Sequence, residues 1–358
     1  MKHFNRTATR NTIGLDLSDR MSVYFVVDHQ GGFAGEGRLP TNPAAFKKHF
    51  GSLEPALVAL ETGTHSRWAS RVISACGHEV LVGNARELKP IFETMNKTDR
   101  NDAQKLARLA RVDPKLLHPI EQRSEEAQVD LTTLRARSAL VEVRTKLILH
   151  VRGTVKPFGK RIPDCSAPAF HFRAAECIPE ELSPALQPVL DTIAALTALI
   201  REYERKVDGI SEEKYPETKR LQQVAGVGPL TALAFVLTIG DPRRFRHSRQ
   251  VGVYFGLTPR KNDTGESHPQ LRITKAGDGC MRTLLVGAAH YILGPFGPDT
   301  DLRRFGKALA QRGGKNAKKR AVVAVARKLA VLLHRLWITA EDYRPLRTQQ
   351  RTHVESTN

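Results

Sequence analysis

The chain has 358 residues, enough for two or three domains with cores of their own. Hydrophobic residues make up 41%, which excludes a disordered polymer, and the formal net charge of +19 points to a polyanionic partner, nucleic acid ahead of an anionic membrane surface. No apolar run approaches the ~20 residues of a membrane span and the N-terminus lacks a signal-peptide core. Four scattered cysteines without a C-x-x-C pair argue against zinc or a disulfide framework, and for the cytosol.

The first 115 residues alternate strand and helix. Apolar strands are expected over Thr12–Ser18 and Met21–Asp28, then a turn at His29-Gln30-Gly31-Gly32 and a third strand to about Leu39. A helix near Asn42–Phe50, a buried strand Ala56–Glu61 and a helix near Ser66–Cys76 come next. A strand His78–Val82, a helix near Arg86–Met95 and another beyond Asp99 complete the pattern. Three hairpin-linked strands ahead of α-β-α-β-α is a ribonuclease-H-like order, although any three-layer α/β domain shares the strand count.

From Ser124 to Val151 the pattern is helical, with Leu131, Leu134, Leu140, Val143 and Leu147 on a repeating stripe. Lys156–Pro184 is proline-rich and reads as a linker or irregular insert, and a second long helix covers about Ala185–Val207. Two such helices form a helical hairpin or coiled coil, or else an ordinary helical subdomain. Within Leu221–Ala232, an apolar helix end, a Gly226-Val227-Gly228 turn and Pro229 at a helix start give a helix-hairpin-helix signal. Gly226 and Gly228 would let backbone N–H groups approach a phosphate; a plain packing corner is the alternative.

Four carboxylates carry the chemistry. Asp16 interrupts the apolar strand Ile13-Gly14-Leu15-Asp16-Leu17, where an acid needs a partner such as a cation. Glu61 ends the strand Ala56–Glu61 ahead of Thr62-Gly63. Asp99 and Asp102 stand three residues apart and share one helix face, although Asp99 alone also reads as the N-cap of an Arg100–Arg111 helix. Such a set would hold two Mg²⁺ ions, with Mn²⁺ as a substitute, for phosphodiester chemistry. An actin-like ATPase strand also carries an aspartate, but needs glycine directly after it, where Leu17 and Ser18 stand here.

Between Arg303 and Arg335 there are eleven Lys or Arg residues and no acid. Lys315, Lys318, Lys319 and Arg320 sit at a loop-to-helix start suited to gripping a phosphate backbone; a solvated helix face is the bland alternative. Upstream, Thr264 and Ser267 lie in a polar loop with Arg260, Lys261, Arg272 and Lys275 around it. A hydroxyl there is placed to attack phosphorus and form a covalent protein–DNA ester, or the loop is a polar hairpin making phosphate contacts.

Taken together, IGLDLS, ALETGTHSRW, NKTDRNDAQKLA, LQQVAGVGPLTA, YFGLTPR, LRITKAGD and MRTLLVGAAH resemble the DEDD-type insertion-sequence transposases of the one-ten family over nearly the whole chain. The resemblance implies α/β plus α architecture in four parts. Residues 1–118 would be a RuvC/ribonuclease-H-like catalytic domain and 119–214 a long helical coiled-coil spacer with the Pro-rich insert. Residues 215–345 would be a mostly helical transposase domain with helix-hairpin-helix and basic helices, and 346–358 a polar tail. It also implies excision and insertion of the encoding element in a bacterial cytoplasm, on donor and target DNA, guided by a structured RNA from the element. Homodimers or homotetramers are implied, with the acidic domain of one subunit completing the serine site of another. The family commonly has Ser-Gly where this chain has Asp263-Thr264-Gly265, so Thr264 inherits the nucleophile role by position, with Ser267 as the fallback. A four-way-junction nuclease using the carboxylates alone, and a non-catalytic nucleic-acid scaffold, are the alternatives.

Overall fold

A computed structural model describes residues 10–92, 98–269 and 271–347. Two compact units divide the chain, Met1–Arg123 and Ser124–Asn358.

The first unit is built on a five-stranded sheet. β1 (Thr12–Asp16), β2 (Met21–Val27) and β3 (Phe33–Pro40) form an antiparallel meander. After α1 (Pro43–Gly51), β4 (Leu57–Glu61) pairs parallel with β1; after α2 (Ser66–Ala75), β5 (Glu79–Gly83) pairs parallel with β4. The order β3-β2-β1-β4-β5 places β1 at the centre, in agreement with the ribonuclease-H-like order read from the sequence. α3 (Ala85–Phe92) and α4 (Asp99–Val112) follow; the expected extension of α3 to Met95 lies outside the described residues.

Side-chain alternation gives the sheet two different faces. Ile13, Leu15, Val58 and Leu60 pack with Phe46, Phe50 and Ile73 of α1 and α2. On the opposite face Val23, Phe25 and Val27 pack against Ala103 and Ala107 of α4, beside Ala59, Leu81 and Leu106. Gly14 is where helix and sheet meet most closely: a Cβ there would lie 1.9 Å from the Ala103 carbonyl oxygen and 2.5 Å from the Ala107 nitrogen. Backbone cannot yield as a side-chain tip does. Gly14→Ala should therefore push α4 off β1, costing about 3 kcal/mol or more in chemical denaturation, with the loss read as a lowered midpoint.

β1 stops two residues earlier than expected. Ser18 Oγ donates to the Met21 carbonyl at 2.6 Å and closes a tight turn, so Asp16 is the last residue of its strand and half-buried. It ends a central strand rather than interrupting one.

The second unit is helical. α5 (Glu125–Thr154), α6 (Phe170–Ala175) and α7 (Ser183–Lys214) come first, then α8 (Glu217–Leu221), α9 (Pro229–Ile239) and α10 (Arg249–Tyr254). α11 (Gly279–Leu293), α12 (Asp301–Gln311) and α13 (Ala317–Thr339) complete it. α9 is buried from Thr231 to Ile239, which explains its unbroken apolar sequence. α5 and α7 lie side by side, pinned where buried Asp130 accepts from the Tyr215 hydroxyl at 2.9 Å and pairs with Lys214 at 3.4 Å.

Of the two readings of the proline-rich stretch, the irregular insert holds and the loose linker does not: Ile162, Phe170 and Ala174 form a core with Val151, Val155, Leu186, Leu190 and Ile193 at the far end of the hairpin. Arg152 holds it together, donating to the Ile162 and Pro163 carbonyls and stacking on Phe170. The helical stretch Glu180–Lys214 is long and apolar enough, by length and average composition, to cross a membrane, although Asp191 interrupts its apolar run. Its buried Leu186, Leu190 and Ile193 belong to this core, which accounts for part of that apolarity.

Candidate functional site

Asp16 and Glu61 end neighbouring strands. Leu15 pairs with Leu60 in the parallel ladder, so the next residue on each strand is an acid, at the sheet's C-terminal edge. Asp16 shares parity with Gly14, and Glu61 with Ala59, so both belong to the face that carries α4. α4 runs antiparallel to β1. Its Arg100 meets Glu36, in register with Phe25 and so with Gly14, at 2.7 Å, whereas Arg111 reaches the His29 carbonyl beyond the opposite strand end. The first turn of α4, with Asp99 and Asp102, is thereby brought to the edge where Asp16 and Glu61 end.

Thr98, not Asp99, caps α4, accepting from the Asn101 nitrogen at 3.2 Å. Asp99 is therefore free of the capping role and exposed in the first turn, whereas Asp102 is buried, at 8% exposure, beside Ala103. The loop after Glu61 is fixed by its own bonds: Thr62 Oγ1 accepts from the Ala85 nitrogen at 3.0 Å, and Ser66 Oγ donates to the Gly63 carbonyl at 2.9 Å. His65 and Trp68, on the α2 side of this edge, escaped the sequence reading. Trp68 Nε1 donates to His65 Nδ1 at 3.1 Å, and His65 Nε2 meets Asp19 Oδ1 at 3.1 Å.

The edge offers an all-carboxylate donor set, the chemistry of a hard divalent ion. Among the described residues, no three acidic, histidine or cysteine side chains form a ready-made cage. The donor types and their shared edge fit such an ion.

Thr264 and Ser267 occupy the tip of a hairpin-like ribbon marked by the isolated antiparallel bridges Pro259–Ile273 and Thr264–Ser267. Each donates its backbone N–H to the other's carbonyl, at 3.2 and 3.0 Å, across a turn in which Gly265 has φ +55°. Residues paired this way point to one face of the ribbon, so both hydroxyls share it. Both residues are exposed, as are Arg260, Lys261, Arg272 and Lys275 below them. The ribbon's base is a close backbone crossing: a Cβ on Gly256 would lie 2.2 Å from the Ala276 oxygen, and one on Gly277 2.1 Å from the Tyr254 oxygen. Arg282 clamps that crossing, with Nη1 donating to the carbonyls of Ala276 at 2.6 Å, Gly277 at 3.1 Å and Phe255 at 3.2 Å. Asp278 caps α11 and also receives Arg135 of α5 at 3.2 Å. These supports were not read from the sequence; a lone arginine in the first turn of an apolar helix was the available signal.

The basic segment divides into structural and solvent-facing cations. Arg303 donates to the Ile292 and Gly294 carbonyls, Arg304 pairs with Asp299 at 2.6 Å, and Arg335 meets Glu341 at 3.1 Å. The Arg304 hydrogen bond holds the Asp299 carboxyl below its usual range. Lys315, Lys318, Lys319 and Arg320 are exposed at the start of α13, whose first turn holds no acid. Cations at a helix's positive end are unfavourable in isolation and are relieved by an anion. At the hairpin turn, Gly226 has φ +85° and a Cβ there would lie 3.0 Å from the Ala288 oxygen, whereas a Cβ on Gly228, the residue before α9, would meet open space.

Comparison with known proteins identifies two matched segments and several relatives. Residues 13–158 match the DEDD transposase domain of IS110 type, and residues 218–300 match the Transposase IS116/IS110/IS902 family. The chain is 30% identical over 341 residues to the transposase for insertion sequence element IS1111A of Coxiella burnetii, covering 93% of this chain and 91% of that one. It is equally 30% identical over 342 residues to a probable family 20 transposase of Pseudomonas aeruginosa, covering 93% and 98%. A pilin gene-inverting protein of Moraxella bovis is 23% identical over 295 residues, covering 79% and 80%.

Proposed function

The chain belongs to the IS116/IS110/IS902 family of insertion-sequence transposases, enzymes that cut and join DNA, and from that premise we propose an RNA-guided, metal-assisted route for it. Its DEDD domain implies a divalent cation. Asp16, Glu61, Asp99 and Asp102 are the residues that would hold it, with Mg²⁺ the ion best matched to carboxylates, waters and phosphate oxygens. The observation carrying this assignment is the register: Asp16 and Glu61 end adjacent strands on the face covered by α4. The bound ion would offset charge on the reacting phosphate.

The chain's own residues do the rest. Thr264 Oγ1, with Ser267 as the alternative, attacks phosphorus, exchanging the DNA phosphodiester for a protein-linked one and releasing a sugar hydroxyl. Arg260, Lys261, Arg272 and Lys275 hold the backbone around the ribbon tip, and Arg282 keeps the ribbon's base in place. Lys315, Lys318, Lys319 and Arg320 grip a second stretch of backbone, and Gly228 at the helix-hairpin-helix turn receives a phosphate on the open N-terminus of α9. The enzyme works as a homodimer or homotetramer in the bacterial cytoplasm.

A guide RNA accounts for specificity where the cations above read only backbone. Sequencing nucleic acid co-purified with the chain, expressed from its whole element, should return one discrete RNA copied from the DNA beside the gene. Recovery of only bulk cellular RNA would remove the guide from the mechanism.

A further inference from the structure

The loops that leave the two acid-bearing strands are joined by one hydrogen-bonded chain, Trp68–His65–Asp19. Indole nitrogen is a donor only, so the 3.1 Å bond from Trp68 Nε1 makes His65 Nδ1 an acceptor. The neutral ring's hydrogen therefore sits on Nε2, from which it reaches Asp19 Oδ1 at 3.1 Å. Trp68 is anchored in turn, its ring edge-on to fully buried Phe46 at 4.9 Å.

The two ends of this chain differ. The Trp68 end is set in the core, and His65 itself is only 26% exposed, but the Asp19 side chain is 94% exposed. In a histidine–aspartate pair that orients a ring, the carboxylate is the buried member. Here the ring is oriented from the tryptophan side, and the solvated carboxylate is the partner that can be exchanged.

We propose that His65 is a phosphate contact of the carboxylate edge: its Nε2–H leaves Asp19 and donates to a DNA phosphate oxygen flanking the bond to be cut. A phosphate oxygen offers the same anionic acceptor as the carboxylate it replaces, and Asp19, already solvated, loses little when released. Trp68 is the positioning residue that keeps the hydrogen on Nε2. Asp19 occupies the donor while no DNA is bound. The proposal rests on Asp16 and Glu61 forming the cleaving edge.

The test is excision of a plasmid-borne copy of the element by full-length chain supplied in trans, scored as excised junction per amount of chain on an immunoblot. His65→Ala should lower excision ~10–100-fold, below the ~10²–10³-fold of a donor at the reacting centre because this contact only flanks it. His65→Gln, whose amide N–H has similar reach, should recover to within about fivefold of the parent. Trp68→Phe should fall between the two, since it keeps the ring packing but frees the tautomer. Asp19→Ala removes only the exchanged acceptor and should excise at least as well as the parent. Parental excision by His65→Ala, no recovery in His65→Gln, or a loss in Asp19→Ala matching that of His65→Ala would each overturn the proposal, the last by making the bond a tether between loops. Asp16→Asn run alongside separates the levels: if it is inactive while His65→Ala is unimpaired, only the His65 contact fails. Parental excision by Asp16→Asn would instead remove the edge on which it rests.

Discussion

Asp16→Asn should reduce strand cleavage and excision by at least ~10³-fold, about 4 kcal/mol of transition-state stabilisation, while nucleic-acid binding persists. The two effects separate because they have different origins. Binding comes from a formal net charge of +19, and deleting one negative charge cannot weaken it. Cleavage by the proposed route needs an anionic oxygen at the end of β1, which an amide does not supply. The side chains are nearly equal in shape and Asp16 is only half-buried at a strand end, so the fold should survive. Glu61→Gln should behave alike, since Glu61 stands at the end of the next strand on the same face. Asp99→Asn should cost less: Asp99 is exposed in the first turn of α4, whereas Asp102 is buried against the sheet. Single-turnover cleavage beside a salt titration of DNA binding checks both halves. Unimpaired cleavage by Asp16→Asn would place the chemistry elsewhere in the chain.

How much of this was legible depended on the range of the interaction. Period-two alternation and turn residues gave the sheet and its order, because burial of one strand face is written into adjacent residues. The acids at Asp16 and Glu61 stood out because carboxylates are costly beside apolar strands. What the sequence hid were contacts between distant backbone segments. Nothing near Gly14 says that the Ala103 carbonyl lies where its Cβ would be, and nothing near Gly277 announces Tyr254. Asp99, read as a site carboxylate, also offered a helix cap because aspartate is a good one, but Thr98 stood one residue earlier and took that role. The basic segment read as uncompensated because Asp299 and Glu341, which pair with Arg304 and Arg335, fall just outside its limits. Proline density at 157–184 suggested a linker or an irregular insert without choosing between them; proline excludes only regular structure, and Phe170 and Ile162 still found a core.

Thr264→Ala should abolish the protein-linked DNA seen when a reaction is quenched and run on a denaturing gel, and Ser267→Ala should retain it. The two hydroxyls need separate variants because the ribbon gives them nearly equal standing: they are paired across a two-residue turn, share a face and are both exposed. Position relative to the turn distinguishes them. Thr264 directly precedes Gly265, whose φ of +55° sets the turn, and is the hydroxyl to which the proposed route gives the nucleophile's role. Thr264→Ser should therefore form the adduct at least as fast as the parent, since a primary hydroxyl meets less hindrance in attacking phosphorus. None of these changes touches the ribbon's base, where Arg282 and the Gly256–Ala276 crossing hold both arms. DNA binding and thermal stability should accordingly match the parent in all three variants, so a lost adduct reports the nucleophile and not the fold. An adduct that vanishes only in Ser267→Ala would move the nucleophile across the turn; one that persists in the double alanine variant would rule out the ribbon hydroxyls altogether.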